Sequence, residues 1–222
     1  MTERTGGEHY FSASPSSDPG DRTVRFTVDG HDYALRTARG VFSSTRLDPG
    51  TAVLLQRGPA PPATGTLLDL GCGYGPIACV LARRSPGAEV WAVDVNERAR
   101  ELTRTNAAAL GLPNVRVASG DEVPADVMFD AIYANPPIRV GKSALHDLLR
   151  TWLGRLRAAG SAHLVVQRNL GADSLQRWLT DQRHACERLA SAKGFRILRV
   201  GPATSGQTDQ HDADDYDRGD DT

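Results

Sequence analysis

Two short runs near the start of the chain alternate apolar with polar residues, which is the period of a half-buried strand. Residues 23–28 and 31–37 therefore predict two strands. The Asp29-Gly30 pair between them favours a tight hairpin turn, because both turn positions take positive φ. Asp48 and Pro49 follow, and they predict the N-cap and the first residue of a helix that runs to about residue 57.

After a proline-rich stretch at 58–65, which predicts a linker, strand and helix patterns take turns along the chain. Strands are predicted at 66–70, 89–94, 115–118, 129–134 and 161–167, and helices at 75–84, 96–110, 143–158 and 173–182. The helix at 143–158 carries one apolar stripe, formed by Leu145, Leu148, Leu149, Trp152, Leu153 and Leu156. A hairpin around Lys193-Gly194 ends the pattern. This order predicts an α/β fold with a mostly parallel sheet and helices on both faces.

Composition divides the 222 residues into three segments. Residues 1–21 are rich in Ser, Pro and Gly, and we expect them to be flexible, whereas 22–200 form the predicted folded domain. Residues 201–222 hold seven acids and one base, which predicts a disordered acidic tail. The net charge of −1 therefore leaves residues 1–200 at +5, almost all of it arginine, and a basic surface of this kind permits RNA binding.

Several classes of protein are disfavoured by what the sequence lacks. No apolar run reaches the roughly 20 residues of a membrane-spanning helix, and the first 21 residues have no apolar core of a secretory signal. The three cysteines show no CxxC spacing and the six histidines are scattered, so we expect neither a disulfide framework nor a metal site. We expect a soluble cytoplasmic protein.

A glycine-rich loop, Gly71-Cys72-Gly73-Tyr74-Gly75, joins the strand at 66–70 to its helix. Its GxGxG spacing differs from the GxGxxG of dinucleotide-binding proteins. Asp69 stands two residues before the first glycine, where a carboxylate repels a pyrophosphate and suits an ammonium group. Asp94 ends the next strand, where a carboxylate can accept hydrogen bonds from both ribose hydroxyls. These features predict a pocket for a nucleoside with a zwitterionic tail, a description that S-adenosylmethionine fits.

Two acids, Asp121 and Glu122, follow the strand at 115–118, where a carboxylate can accept a hydrogen bond from the adenine amino group. The predicted cofactor-binding residues are Asp69, Gly71, Cys72, Gly73, Gly75, Asp94, Val95, Asp121, Glu122 and Asn135.

The sequence Asn135-Pro136-Pro137, here called the NPP turn, follows the strand at 129–134. It therefore lies at the edge where open parallel sheets bind ligands. Its prolines remove two N–H donors, so the Asn135 amide oxygen and the Pro136 carbonyl can accept both hydrogens of a planar –NH2 group. Fixed carbonyl dipoles also stabilise the positive charge that an amine gains as it accepts a methyl group. The turn therefore predicts N-methyl transfer by direct displacement, with Asn135, Pro136 and Pro137 as the catalytic residues.

The predicted substrate contacts come from two stretches: Phe42 and Ser43 from the loop at 40–43, and Ile138, Arg139 and Lys142 from the residues that follow the NPP turn. Arg139 and Lys142 are expected to contact RNA phosphates. Ile138 can cover the face of a base, and Phe42 can supply an aromatic ring for stacking.

Longer motifs make the chain resemble the class I S-adenosylmethionine-dependent methyltransferases, and more closely the ribosomal small subunit methyltransferase C-like group. The resemblance covers residues 9–200. Its motifs are HYFS at 9–12, GVFS at 40–43, LDPG at 47–50, DLGCGYGPI at 69–77, VDVNERA at 93–99 and NPPIRVGK at 135–142.

The resemblance implies a Rossmann-like sheet of seven strands, mostly parallel with an antiparallel last strand, preceded in this chain by the N-terminal β-hairpin. It also implies S-adenosylmethionine at the glycine loop and methylation of the exocyclic N2 of a guanine in small-subunit ribosomal RNA. The expected partner is that RNA or an assembling particle that contains it. Members with an established guanine target carry an additional N-terminal methyltransferase-like domain. We expect this chain to be a single-domain form without it.

Other functions stay open at this point. A protein glutamine amide or a small-molecule amine also presents a planar –NH2 group to an NPP turn. A module that binds the cofactor without catalysis is disfavoured by the intact NPP turn. An NAD-dependent oxidoreductase is disfavoured by Asp69 and by the glycine spacing.

Overall fold

The computed structural model describes residues 22–41, 45–138 and 141–204, which form a two-stranded sheet, a seven-stranded sheet, five α-helices and a short 3-10 helix at Arg168–Leu170. The strands are β1 (Arg22–Val28), β2 (His31–Thr37), β3 (Thr64–Leu70), β4 (Gly87–Val93), β5 (Val115–Ala118), β6 (Phe129–Ala134), β7 (Leu156–Gln167), β8 (His184–Ala192) and β9 (Phe195–Ala203). The helices are α1 (Pro49–Arg57), α2 (Pro76–Arg84), α3 (Glu97–Ala109), α4 (Lys142–Leu153) and α5 (Ala172–Asp181).

The N-terminal hairpin forms as its alternation predicts. Asp29 and Gly30 take φ values of 53° and 75°, so both turn residues have the positive φ that a tight hairpin requires. Asn106 of α3 fastens the hairpin to the rest of the fold, because its side chain accepts from the Arg36 N–H (2.8 Å) and donates to the carbonyls of Arg36 (2.9 Å) and Tyr74 (2.8 Å). The hairpin is thereby tied to both α3 and the glycine loop.

The large sheet has the strand order β5-β4-β3-β6-β7-β9-β8. Neighbours from β5 to β7 are parallel, whereas β9 is antiparallel to both β7 and β8. One apolar core packs the hairpin, α1, α2 and α3 against one face, and a second core packs α4 and α5 against the other. The predicted seven-stranded α/β architecture with an antiparallel last strand is confirmed.

The boundary between α4 and β7 differs from the sequence prediction. The helix expected at 143–158 ends at Leu153, and Leu156 begins β7 by pairing with Phe129 of β6. Leu156 is buried, as the apolar stripe predicts, but in the sheet. A leucine three residues after Leu153 fits both a helical stripe and the start of a strand, so periodicity alone placed it in the wrong element.

Strands β3 and β9 also extend beyond their predicted ends. β3 begins at Thr64, inside the predicted linker, where the Asp130 carboxylate accepts from the Thr66 N–H (2.7 Å). β9 continues to Ala203, beyond the expected end of the domain at residue 200. Among the described residues, no helix is long and apolar enough to cross a membrane. Within the same residues, no group of three or more His, Cys, Asp or Glu side chains is placed to hold a metal ion.

Candidate active site

The glycine loop turns sharply at the carboxyl end of β3. Gly71, Gly73 and Gly75 have φ values of 77°, 58° and 91°, a region that other residues enter only with strain. The N–H groups of Gly71 and Cys72 both donate to the Val93 carbonyl, at 2.8 and 3.0 Å, which holds the loop against the end of β4.

The three glycines serve different purposes. A Cβ atom on Gly75 would lie 2.9 Å from the Thr103 side chain, so this glycine is needed for close packing of α3. A Cβ atom on Gly71 or Gly73 would meet no atom of the described residues within 4 Å. Open space therefore lies above the first two glycines, where a ligand can approach the backbone closely.

Asp69 lies beneath this loop with none of its surface exposed. Its Oδ2 oxygen accepts from the Ala78 N–H at the start of α2 (2.8 Å), whereas no described residue donates to its Oδ1 oxygen. Burial, reinforced by the nearby Asp94 carboxylate, raises the pKa of Asp69 to about 8. A buried carboxylate with one unpartnered oxygen fits an ammonium group, since a cation there restores the ionised form.

Asp94 follows β4 and faces the same loop. Its two oxygens accept from the Gly73 N–H (2.9 Å) and the Asn96 N–H (2.9 Å), and burial raises its pKa. Each carboxylate oxygen has a second lone pair, so both can also accept from the hydroxyls of a ribose. Val95 is 46% exposed beside it, which leaves an apolar surface for the face of a base.

Asp121 and Glu122 lie at the carboxyl end of β5, the neighbour of β4. Both side chains are exposed, and both bond to Ser119. A hydrogen bond from the Ser119 side chain lowers the pKa of Asp121, and one from the Ser119 N–H lowers that of Glu122. Pairing of Val93 with Ala118 places this turn next to Asp94, one strand spacing of about 4.8 Å away.

The NPP turn lies on the other side of the glycine loop. Leu70 pairs with Ala134, so Gly71 and Asn135 leave adjacent strands at the same level. The Asn135 Nδ2 group donates to the Asp48 carboxylate (2.6 Å) and to the Thr51 hydroxyl (3.1 Å), both at the start of α1. A carboxylate accepts only from the NH2 end of the amide, so these bonds set the amide orientation and leave Oδ1 free of any described donor.

Sequence reasoning identified Asp48 only as a helix cap and did not identify Thr51. The cap is present, since Asp48 accepts from the Thr51 N–H at 2.9 Å. The same Asp48 oxygen also accepts from Asn135, which lies 87 residues away in the chain. An LDPG motif before a helix signals the cap, but no local pattern signals the second partner.

The predicted substrate contacts are only partly covered by the described residues. Phe42, Ser43 and Arg139 lie outside them. Ile138 is half-buried and packs against the core on the α4–α5 face, and Lys142 is exposed at the start of α4. The glycine loop, Asp69, Asp94 and the NPP turn are together at one sheet edge, with Asp121 and Glu122 at its β5 end.

Comparisons with known proteins show which family the chain belongs to. A family model described as methyltransferase small domain matches residues 32–199. The uncharacterized protein YbxB of Bacillus subtilis (strain 168) is 34% identical over 196 residues, which cover 87% of this chain and 98% of YbxB. Ribosomal RNA small subunit methyltransferase C of Stutzerimonas stutzeri (strain A1501) is 37% identical over 197 residues, covering 85% of this chain and 57% of that protein.

Among solved structures, the chain is similar to RsmC of T. thermophilus, a 16S rRNA N2 methyltransferase in complex with AdoMet and guanosine. The two share 25% identity and a TM-score of 0.70, and the match covers 84% of this chain and 52% of RsmC. The chain thus spans about half the length of the methyltransferase C relatives that it matches.

Proposed function

Because the chain belongs to the methyltransferase small domain family and is an S-adenosylmethionine-dependent methyltransferase, we propose that it methylates the exocyclic N2 of a guanine in small-subunit ribosomal RNA. The observation that carries the proposal is the orientation of Asn135, whose NH2 end is occupied by Asp48 and Thr51. Its amide oxygen is thereby left to accept from a planar amino group. Relatives named for ribosomal RNA, and a similar structure that contains guanosine, support guanine as the acceptor.

The residues beneath the glycine loop would hold the cofactor. Asp69 offers an unpartnered buried oxygen to an ammonium group, Asp94 offers two acceptors to a ribose, and Val95 offers an apolar surface to a base. Bound S-adenosylmethionine supplies a methyl group activated by a sulfonium. Open space above Gly71 and Gly73 allows such a ligand to lie against the backbone.

Asn135 and the Pro136 carbonyl then hold the amine. When these two oxygens accept hydrogen bonds from both N–H groups of the amine, the nitrogen lone pair turns toward the glycine loop. That loop follows β3, the strand next to β6. Held in this way, the nitrogen would accept the methyl group that the cofactor's sulfonium supplies by direct displacement, and the methylated amine would release its surplus proton to water. Alignment of the two partners and stabilisation of the developing positive charge by oxygen dipoles lower the barrier.

The test combines the purified protein with methyl-labelled S-adenosylmethionine and an extract from a strain that lacks the gene. Nuclease and protease digestion show whether the label is in RNA or in protein. We expect label in RNA, recovered as N2-methylguanosine, and we expect Asn135→Ala to lower turnover by orders of magnitude with cofactor affinity little changed. Label that stays with protein, or with a small amine, would refute the guanine acceptor. Full turnover by Asn135→Ala would refute the amine-holding role.

A further inference from the structure

A cleft of about 560 Å³ lies at the β8–β9 end of the large sheet, on the opposite side of the NPP turn from the glycine loop. One of its residues follows β7 directly, and the others belong to β8 and β9. The lining residues are Arg168, Arg188, Leu189, Ala190, Ser191 and Arg196. We call it the arginine cleft.

The arginine cleft carries excess positive charge. Arg196 pairs with the exposed Asp173 at the start of α5. Within the described part of the chain, neither Arg168 nor Arg188 forms an ion pair, although both side chains are exposed. Two guanidinium groups are therefore available to an anion, and their planar fork suits phosphate better than a lysine ammonium does.

An irregularity in β8 shapes the cleft. The register between β8 and β9 shifts between Arg188 and Ala190, so Leu189 has no partner on β9. Leu189 is 40% exposed and lines the cleft. The cleft thus combines guanidinium groups with an apolar side chain, which suits a nucleotide strand that presents both phosphates and base faces.

The register of the sheet gives the position of the cleft relative to the NPP turn. One row of paired residues runs from Ala134 through Leu164 and Leu198 to Arg188, and the NPP turn begins at the residue after Ala134. Strands lie about 4.8 Å apart, so Arg188 is about 14 Å from the turn along this row. Arg196 is two strands from β6, or about 10 Å.

We infer that the arginine cleft binds the backbone phosphates of single-stranded RNA a few nucleotides from the target base. This inference rests on the proposed function. At about 3.4 Å per stacked nucleotide, 10 to 14 Å corresponds to about three or four nucleotides. Helix α4, which begins at Lys142, packs against β7, and β7 lies between the NPP turn and the arginine cleft. Phosphate contacts of this kind place a strand in register without reading its sequence.

The test measures RNA binding directly. A fluorescein-labelled single-stranded RNA of about 12 nucleotides is titrated with wild type, with the Arg168→Gln/Arg188→Gln pair and with the Arg25→Gln/Arg57→Gln pair. The control pair removes the same charge from exposed side chains of β1 and α1 that also lack an ion pair among the described residues. Anisotropy is recorded over a range of salt concentrations around 0.1 M, and thermal unfolding and S-adenosylmethionine affinity are checked for each protein.

Two lost phosphate contacts would reduce the slope of log K against log salt by about 1.4 and weaken binding about 25-fold at about 0.1 M salt. The control pair should bind within about threefold of wild type, and cofactor affinity should be unchanged in all three proteins. Wild-type affinity and slope in the cleft variant, an equal loss in the control pair, or no RNA binding by wild type would each overturn the inference. The anisotropy experiment measures RNA binding without methyl transfer. If the labelling experiment described above placed the methyl label in protein, the proposed function would be refuted, but the RNA-binding result would still be judged separately.

Discussion

The hydrogen bond from Asn135 to Asp48 allows the contribution of a charge behind the amide to be measured. Asp48→Asn removes the negative charge and keeps the rest of the local structure, because asparagine caps a helix as well as aspartate does. Its amide oxygen can still accept from the Thr51 N–H and from Asn135, as the Asp48 oxygen does at 2.9 and 2.6 Å. The variant therefore tests the charge rather than the fold of α1.

The expected magnitude follows from the distance between the Asp48 carboxylate and the methylated amine. A path of 2.6 Å to Asn135 Nδ2, across the amide group, and then one further hydrogen bond places the amine about 8 Å from Asp48. A positive charge that develops at about 8 Å, with an effective dielectric constant of about 20, is stabilised by about 2 kcal/mol. Loss of that stabilisation lowers kcat by about 30-fold.

Thr51→Val provides the matched comparison. It removes the second acceptor of Asn135 Nδ2, at 3.1 Å, but keeps the charge of Asp48 and the shape of the buried side chain. Loss of one neutral hydrogen bond is worth about 1 kcal/mol, or about fivefold in kcat. The expected order of damage is therefore Asn135→Ala, then Asp48→Asn, then Thr51→Val.

The assay is steady-state methyl transfer to RNA at saturating concentrations of both substrates, with cofactor Kd and Tm measured in parallel. Cofactor Kd should stay within about twofold of wild type for Asp48→Asn and Thr51→Val, because neither residue belongs to the predicted cofactor pocket. A kcat for Asp48→Asn within about twofold of wild type, alongside an inactive Asn135→Ala, would refute the electrostatic argument.

Four further predictions concern the cofactor pocket. The pKa of Asp69 is raised to about 8 in the free protein, and a bound ammonium group would lower it. Cofactor affinity should therefore fall as pH drops below about 8, and calorimetry should detect proton release on binding. Asp69→Asn should lose this pH dependence. Because the pKa of Asp69 is raised from 3.8 to about 8 by folding, its contribution to stability is fully present below about pH 4 and is lost progressively as pH rises to about 8. The free energy of unfolding of wild type, but not of Asp69→Asn, should show that trend. Asp94→Ala should raise cofactor Kd by about 100-fold or more with kcat at saturation little changed, because two charge-assisted hydrogen bonds to ribose are lost. Gly73→Ala should cost about 1 kcal/mol in stability and prevent tight cofactor binding, whereas Gly30→Ala, also at positive φ with open space around its Cβ, should show the strain alone.

Each of these residues has its own outcome that would contradict its predicted role. Equal pH dependence of cofactor affinity in wild type and Asp69→Asn would show that Asp69 does not meet the ammonium group. Wild-type cofactor Kd in Asp94→Ala would exclude it from the ribose contact. Equal cofactor affinity in Gly73→Ala and Gly30→Ala would show that the space above the glycine loop is not where the ligand lies.

Local patterns in the sequence were sufficient for most of the fold. The hairpin turn at Asp29-Gly30 and the helix start at Asp48-Pro49 depend on residues adjacent in the chain, so their conformations follow from local preferences alone. The glycine loop is similar, because a positive φ at Gly71 and Gly73 is a local requirement. The end of α4 was missed because Leu156 satisfies a helical stripe and a strand equally well, and its pairing with Phe129 is decided by tertiary structure.

The candidate site was less predictable where its geometry depends on distant residues. Periodicity places Asn135 at a strand end, but its amide orientation depends on Asp48 and Thr51, which reach it only after α1 has packed on the sheet. The raised pKa of Asp69 likewise arises from complete burial, which its position before a glycine loop does not reveal. These properties are consequences of packing and required the structure.

The two register shifts in β8 also affect how the protein behaves at high concentration. β8 is one of the two edge strands of the large sheet, and among the described residues no strand pairs with its outer edge, which offers N–H and C=O groups to any strand that approaches. The shifts, between His184 and Cys186 and between Arg188 and Ala190, interrupt the regular ladder that an incoming strand would need. The same irregularity that exposes Leu189 in the arginine cleft therefore protects the sheet against edge-to-edge aggregation.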